Sequence, residues 1–228
     1  MKLSIIIPVY NEEKHIEKVV EDVLKTPVKF EKEIIIVDDG SRDKTRQILK
    51  KYGSRKGFKI VLQSKNSGKG AAIRAGIKEV SGDIVLIQDA DFEYSTLDYP
   101  KIIEPFLTKK AKVVYGSRFL GEVSGMNWKN LLANKILTSF VNLLYGANIT
   151  DEATAYKAFR AQVIKNISLT CKRFEFCPEV TAKVLKKGIK IYEVPIIYHG
   201  RTTKQGKKIN WKDGFVALWT LIKYRFKN

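Results

Sequence analysis

Two aspartates follow a short apolar run near the middle of the chain. Asp89 and Asp91 are separated by one alanine and come directly after residues 84–88. The run is short and β-branched, as in a strand that is buried on both faces. Alternate residues of a strand share a face, so both carboxylates leave the strand end on the same side. Such a pair needs a positive charge, for which a divalent cation with substrate phosphates is a candidate; a plain acidic turn is the alternative.

An aromatic residue and a carboxylate close an earlier apolar run. Pro8 ends that run because proline has no backbone donor for a strand ladder, and Tyr10 and Glu12 follow it. A tyrosine ring can stack on a nucleobase, and a carboxylate can accept its N–H groups. The alternative is a strand terminus at which Asn11 caps the next helix.

A second carboxylate pair, Asp38 and Asp39, ends another apolar run and precedes Gly40 and Ser41. A carboxylate at this position can accept a base N–H or a ribose hydroxyl. Ser41 can also cap the following helix, and the two interpretations are compatible because the cap needs only Ser41.

A glycine-lysine loop at residues 66–70 leads into a predicted helix. Helix N-termini favour anions, and Lys69 adds a full positive charge. The loop is not a Walker A motif, because the upstream glycine and the following Lys-Ser/Thr pair are absent. It predicts either a phosphate contact or a tight turn.

The elements that position these residues alternate between strands and helices. Strands are predicted at residues 3–8, 33–37, 58–62, 84–88 and 112–115, and helices at residues 16–24, 45–52, 71–80 and 97–107. This alternation predicts right-handed crossovers and an α/β fold with a mostly parallel sheet. Ligands bind beyond the carboxyl ends of such strands, so the polar stretches belong on one rim.

The pattern changes after Arg118. Two long helical patterns with apolar faces, Trp128–Tyr145 and Trp211–Phe226, enclose predicted strands at 155–160 and 189–195 around a helix near 178–187. We expect one domain over residues 1–228, with a first half at 1–118, a second half at 119–209 and a basic amphipathic tail helix at 210–228.

The composition indicates an anionic partner. The 42 Lys and Arg residues against 24 Asp and Glu give a net charge of +18, which suits nucleic acid, an acidic membrane surface or phosphorylated substrates. Lysine-rich chains are also typical of heat-adapted proteomes.

The histidines, the cysteines and the hydropathy pattern argue against a zinc site, secretion and a membrane-spanning helix. Cys171 and Cys177 match no zinc spacing, and His15 and His199 are interpreted as structural. The N-terminus is unlike a signal peptide, and no apolar run of about 18 residues is present. We therefore expect a cytoplasmic protein whose membrane contact is peripheral.

The order of these motifs resembles the family-2 inverting nucleotide-sugar glycosyltransferases, and within them the dolichyl-phosphate mannose synthase-like branch, which transfers sugar to a polyprenyl phosphate. The resemblance extends over residues 3 to 215. The motifs that carry it lie at residues 8–12, 38–41, 66–70, 89–91, 116–118, 150–157, 173–179, 193–195 and 200–208.

The resemblance implies a nucleotide-diphospho-sugar transferase fold of the GT-A type and assigns residues by role. Nucleotide-sugar binding falls to Pro8, Tyr10, Glu12, Val37, Asp39, Lys69, Asp89 and Ala90. Binding of Mg²⁺ or Mn²⁺ falls to Asp89, Asp91 and Glu93, the last standing where many relatives have Gln. Acceptor and phosphate contacts fall to Arg118, Thr154, Arg201, Lys207 and Lys208, with Lys207 where Ser is usual, so that either lysine can make the contact. The catalytic set is Asp89, Asp91, Arg118 and Asp151.

The expected activity is metal-dependent transfer of mannose or glucose from a GDP- or UDP-sugar to a polyprenyl phosphate at the cytoplasmic membrane face. Many relatives carry membrane-spanning C-terminal segments, so this chain would dock by Trp211–Phe226 or use a separate membrane-anchored partner. The alternative acceptor is a saccharide hydroxyl, with Asp151 or Glu175 as general base. We expect no nucleic-acid partner, because RNA binding leaves the strand-end carboxylate pairs unexplained.

Overall fold

The computed structural model describes residues 1–200 and 211–227, with only the backbone at residues 211 and 212. The strands are β1 Lys2–Val9, β2 Glu31–Asp38, β3 Phe58–Leu62, β4 Ile84–Ile87, β5 Val113–Ser124, β6 Lys157–Arg160 and β7 Ile191–His199. The helices are α1 Ile16–Lys25, α2 Thr45–Leu49, α3 Lys69–Glu79, α4 Tyr99–Thr108, α5 Trp128–Tyr145, α6 Ala161–Lys165, α7 Phe176–Lys186 and α8 Trp211–Phe226. Short 3₁₀ turns, Lys50–Tyr52 and Thr96–Asp98, follow α2 and precede α4.

The strands form one seven-stranded sheet in the order β3-β2-β1-β4-β6-β5-β7. Only β6 runs antiparallel to its neighbours, β4 and β5, so the expected α/β fold with a mostly parallel sheet is confirmed. The chain builds outward from β1 to β3 and then crosses to β4 on the other side of β1. Ligands of open α/β sheets bind at such a switch point, beyond the carboxyl ends of the strands.

Helices cover both faces of the sheet, which is why its central strands are continuously apolar. One core joins α1 and α4 to the sheet, and the other joins α3, α5, α7 and α8 to it. Gly76 lets α3 approach β1 closely, since a β-carbon there would lie 2.6 Å from Ile6 Cγ2.

Pro8 lies within β1 and does not end it. Its partner is Val37 of β2, and Val9 extends the pairing by one more residue. Even-numbered residues of β1 direct their backbone groups toward β4, as Ile6 does by accepting from Gln88 N at 2.9 Å. The ladder with β4 ends at Ile6, so the missing donor of Pro8 costs no sheet hydrogen bond.

Two further features differ from the sequence-based expectation. The predicted strand at 112–115 continues to Ser124, because it pairs with β7 through Ser124 and His199 after an irregularity that follows Ser117. Helix α6 was not expected, since its five residues are too few to show helical periodicity.

A buried carboxylate links β1, β2 and the loop before β4. It lies at the end of the sheet opposite the carboxyl ends of these strands. Glu33 of β2 accepts hydrogen bonds from Ser4 Oγ at 2.6 Å, Ser81 Oγ at 2.6 Å and Ser81 N at 2.9 Å. Burial alone would raise the pKa of Glu33, but these bonds and a contact with Lys59 lower it to about 2. The ionised form therefore stabilises the fold.

We expect Glu33→Gln to reduce the free energy of unfolding by about 1–3 kcal/mol at pH 7, because an amide cannot accept all three bonds. The folded-state pKa lies below the ordinary value of 4.5. The stabilisation is therefore complete above pH 4.5 and is lost as the pH falls toward 2.

Urea unfolding of both proteins from pH 7 to pH 2 measures this difference. Glu31→Gln, an exposed glutamate on the same strand, is the matched control. A stability gap that does not narrow with acid would contradict the role of the ionised carboxylate.

Candidate active site

The loops after β1 and β2 are fastened to each other. Asn11 has a left-handed backbone with φ 51°, a conformation that asparagine tolerates well. Its N–H donates to Ser41 Oγ at 2.9 Å, and its Oδ1 accepts from Arg42 N at 2.8 Å. Both side chains thus link the two loops instead of capping helices, and this leaves half-buried Tyr10 on a fixed rim.

Glu12 lies on the same rim and is 9% exposed. Its backbone N–H donates to Thr45 Oγ1 at 3.0 Å, and its Oε2 lies 2.8 Å from His15 Nδ1. The ring of His15 also meets Phe92 edge-on at 5.4 Å. The imidazole thus joins α1 to the loop after β4, which fits its structural interpretation.

Asp39 connects β2 to the glycine-lysine loop. Its two oxygens accept from Ser67 N at 2.8 Å and Gly68 N at 2.7 Å. Burial raises the pKa of Asp39, and these hydrogen bonds offset part of that rise. A carboxylate expected to meet the nucleoside therefore also holds the loop that carries Lys69.

Val37 packs into the core, and its predicted contact with the nucleotide-sugar stays a prediction. Its side chain is fully buried, and its Cγ2 lies 3.3 Å from where a β-carbon of Gly76 would stand. The side chain belongs to the core between β2 and α3, because strand alternation directs it to the face of the sheet that α3 covers.

Lys69 provides the positive charge that the aspartate pair requires. Its Nζ lies 2.5 Å from Asp89 Oδ1, and the two side chains are 22% and 14% exposed. Burial acts to lower the pKa of Lys69, but the negative charges of Asp89 and Asp91 outweigh it and raise that pKa. In the described structure Lys69 is thus a counter-ion of Asp89.

Asp91 and Glu93 lie on the loop that follows β4. Asp91 Oδ1 accepts from Glu93 N at 3.2 Å, and Glu93 Oε2 accepts from Tyr198 OH at 3.1 Å. Within residues 1–200 and 211–227, no three His, Cys, Asp or Glu side chains converge as a metal site. Mg²⁺ commonly binds one or two carboxylates together with substrate phosphates, so the oxygens of Asp89 and Asp91 fit it without a third protein carboxylate.

Arg118 and Asp151 form a buried bidentate ion pair. The Nε–Oδ2 and Nη2–Oδ1 distances are both 2.7 Å, and the backbone N–H of Arg118 adds a bond of 3.0 Å to Oδ2. Burial acts to lower the pKa of Arg118, and the nearby Tyr94 and Asp151 raise it well above its ordinary value. Arg118 therefore presents a fixed positive charge.

The backbone of Asp151 is also held in place by hydrogen bonds. Glu193 of β7 accepts from Thr150 N at 2.7 Å and from Asp151 N at 3.0 Å. Asp151 is fully buried, so its carboxylate serves Arg118 in the described structure.

The remaining predicted residues have different placements. Thr154 is fully buried, and its Oγ1 accepts from Tyr156 N at 3.2 Å. Ala90 is 5% exposed between the two aspartates. The predicted phosphate contacts Arg201, Lys207 and Lys208 lie outside the described residues.

A polar network beneath the aspartates was not anticipated. Gln88 Oε1 accepts from Tyr99 OH at 2.9 Å and Tyr156 OH at 2.7 Å, and its Nε2 donates to the Asp89 carbonyl at 3.1 Å. The available signal was an amide at the end of an apolar run, where burial requires partners. The network fixes the backbone from which Asp89 projects.

A cleft of about 510 Å³ adjoins this network. One wall is formed by Val19, Asp22 and Lys25 of α1, and the other includes Asp91 and Phe92. The cleft therefore lies beside the aspartate pair, and Lys69, Asp89 and Arg118 do not line it.

The sheet, with its acidic rim at the switch point, is an α/β fold of the GT-A type. The structure superimposes with a TM-score of 0.73 on glucosyl-3-phosphoglycerate synthase from Mycobacterium tuberculosis, determined with Mn²⁺, UDP-glucose and phosphoglyceric acid. The sequences are 19% identical, and the match covers 98% of this chain and 79% of that one.

Sequence comparison identifies the family. The model of glycosyl transferase family 2 matches residues 4–168, and the chain belongs to this family. The expected family and enzyme class are thus confirmed.

Two curated relatives are named for transfer of a sugar to dolichyl phosphate. Dolichol-phosphate mannosyltransferase of Pyrococcus furiosus is 29% identical over 92% of this chain, which spans 61% of that protein. UDP-N-acetylglucosamine–dolichyl-phosphate N-acetylglucosaminyltransferase of Methanococcus voltae is 32% identical, with 96% of this chain and 94% of that protein covered.

We expect Asp151→Asn to destabilise the protein by about 3–5 kcal/mol, because it leaves the buried guanidinium of Arg118 without a counter-ion. The double variant Arg118→Met/Asp151→Leu should recover most of this loss, since apolar side chains can replace a buried pair. Thermal and urea unfolding measure both effects. A single variant as stable as the wild type would show that the pair is not required for folding.

Proposed function

We propose that the protein transfers a hexose, mannose or glucose, from a GDP- or UDP-sugar to a polyprenyl phosphate with inversion and with a divalent cation. The observation that carries the proposal is the placement of Asp89 and Asp91 after β4, at the switch point of the sheet. Lys69 lies 2.5 Å from Asp89, and Arg118 lies over the ring of Tyr198, whose hydroxyl donates to Glu93 on the loop after β4. The lipid-phosphate acceptors named for the relatives support the acceptor class.

The donor's leaving group determines what the site must do. Departure of a nucleoside diphosphate builds negative charge on the β-phosphate, and positive groups that are already in position stabilise it. Mg²⁺ or Mn²⁺, if held by Asp89 and Asp91, would act as a Lewis acid and stabilise the charge on the β-phosphate. Arg118, held by Asp151, contributes a further positive charge that is oriented before substrate arrives. Lys69 contributes another from the glycine-lysine loop.

The described carboxylates favour a phosphate acceptor over a saccharide hydroxyl. A phosphate is already an anion near neutral pH and needs no strong general base. Asp151 is committed to Arg118, and Glu175 accepts from the backbone of Lys172 at 2.7 Å and Arg173 at 3.0 Å. Both base candidates for a hydroxyl acceptor therefore have structural partners.

Helices α5 and α8 are the candidates for contact with the lipid. These helices pack against each other, with Tyr145 OH donating to the Leu221 carbonyl at 2.7 Å. None of the helices in the described ranges has the length and hydropathy of a membrane span. Large apolar side chains are nevertheless exposed on both helices: Trp128, Leu132, Ile136, Leu143, Val216, Trp219, Ile222 and Phe226.

Basic side chains also lie on these two helices. Lys129, Lys135, Lys223 and Arg225 accompany the apolar residues, the composition of a helix that lies in a membrane interface. We propose peripheral docking of α5 and α8 on the cytoplasmic membrane face, by these helices alone or with a membrane-anchored partner.

We expect Asp91→Asn to lower transfer by about 100-fold or more, as loss of one transition-state contact commonly does. Transfer is measured from GDP-mannose, UDP-glucose and related donors, each with polyprenyl phosphate and with free saccharides. Glu21→Gln, an exposed carboxylate on α1, is the control and should retain activity. Full activity of a folded Asp91→Asn variant would refute the carboxylate's role, and transfer to saccharides alone would refute the acceptor class.

We expect Trp219→Ser/Phe226→Ser to weaken binding to vesicles of anionic lipid by about tenfold or more, because it removes two large apolar contacts. Co-sedimentation with vesicles measures the change. Leu62→Ser, an exposed leucine on the opposite edge strand β3, is the control. Equal binding by all three proteins would refute docking by these helices.

A further inference from the structure

The backbone that carries Lys69 is held from two sides. Asp39 binds the N–H groups of Ser67 and Gly68. On the other side Gly70 N donates to the Arg173 carbonyl at 3.0 Å. The loop therefore lies clamped between β2 and the segment before α7.

The packing around Gly68 restricts this loop further. A β-carbon on Gly68 would lie 2.4 Å from the Lys172 carbonyl oxygen, and its φ is 98°. A rigid loop leaves the long side chain of Lys69 as the part that can move. Movement of the ammonium group therefore does not require the loop to unfold.

The position of that ammonium group has a consequence for cation binding. Lys69 Nζ lies 2.5 Å from Asp89 Oδ1, so this oxygen is occupied by a positive charge. A divalent cation at the same oxygen would repel the ammonium, and in a partly buried site the repulsion is weakly screened. The displaced lysine would then need another anion, which the donor's diphosphate provides.

We infer that Lys69 makes divalent-cation binding depend on the donor diphosphate. Without donor, Lys69 neutralises Asp89 and opposes binding of the cation alone. With donor, the ammonium passes from Asp89 to the diphosphate, and the carboxylate becomes available. Lys69 thus sets the order in which the site is loaded, an inference that rests on the proposed nucleotide-sugar chemistry.

The test is titration of the protein with Mn²⁺, in which electron paramagnetic resonance reports free Mn²⁺, without nucleotide and with UDP or GDP. In the wild type, one of the diphosphates should tighten Mn²⁺ binding by about tenfold or more. Lys69→Gln should bind Mn²⁺ alone about tenfold more tightly than the wild type, and its affinity should depend less on nucleotide.

Matched variants isolate the position of the charge. Lys65→Gln removes an equal charge from an exposed residue just before the glycine-lysine loop and should titrate like the wild type. Lys69→Arg keeps the charge and should also oppose binding of Mn²⁺ alone. Circular dichroism checks the fold of each variant, and Lys69→Met replaces Lys69→Gln if the latter does not fold.

The titration distinguishes failure of the ordering role of Lys69 from failure of the proposed metal-dependent reaction. If the wild type binds Mn²⁺ with a diphosphate but Lys69→Gln has unchanged affinity for Mn²⁺ alone, the ordering role of Lys69 is overturned and the proposed transfer reaction stands. If the wild type binds no Mn²⁺ with either diphosphate, the metal-dependent reaction is overturned together with this role.

Discussion

Negative charge collected at the carboxyl ends of β1, β2 and β4 is the constraint on which the site depends. Glu12 follows β1, Asp38 and Asp39 lie at the end of β2, and Asp89 and Asp91 follow β4. These strand ends are neighbours because β1 lies between β2 and β4 in the sheet. Like charges in a partly buried rim destabilise the fold unless cations or backbone donors face them. Ser67 N and Gly68 N face Asp39, and Lys69 supplies the ammonium that meets Asp89.

The second half of the chain contributes rigidity to the same site. Buried Asp151 holds the guanidinium of Arg118, and Glu193 holds the backbone of Asp151. Tyr198 lies beneath Arg118, with its ring 5.1 Å from the guanidinium carbon, and donates to Glu93. These links join β5 and β7 to the loop after β4, so cationic and acidic groups keep their relative positions before any substrate binds.

Strand-helix alternation and strand-end motifs were readable in the sequence because they depend on local pattern. Buried strands are apolar throughout, and catalytic side chains of parallel sheets follow strand ends. The bounds of α5 and α8 were also predictable from their apolar periodicity. Features that depend on pairing were not: the length of β5 is set by β7, and the place of Pro8 by the end of the β4 ladder.

The sequence by itself determined the family, the α/β class and the position of the carboxylates at the strand ends, since these follow from residue type and order. Tertiary structure alone decided how the charges are paired. Lys69 and Asp89 are 20 residues apart and Arg118 and Asp151 are 33 apart, separations over which spacing carries no geometric information. The packed sheet brings those side chains within contact distance. Each pair is required there because a charge that is buried needs a partner of opposite charge.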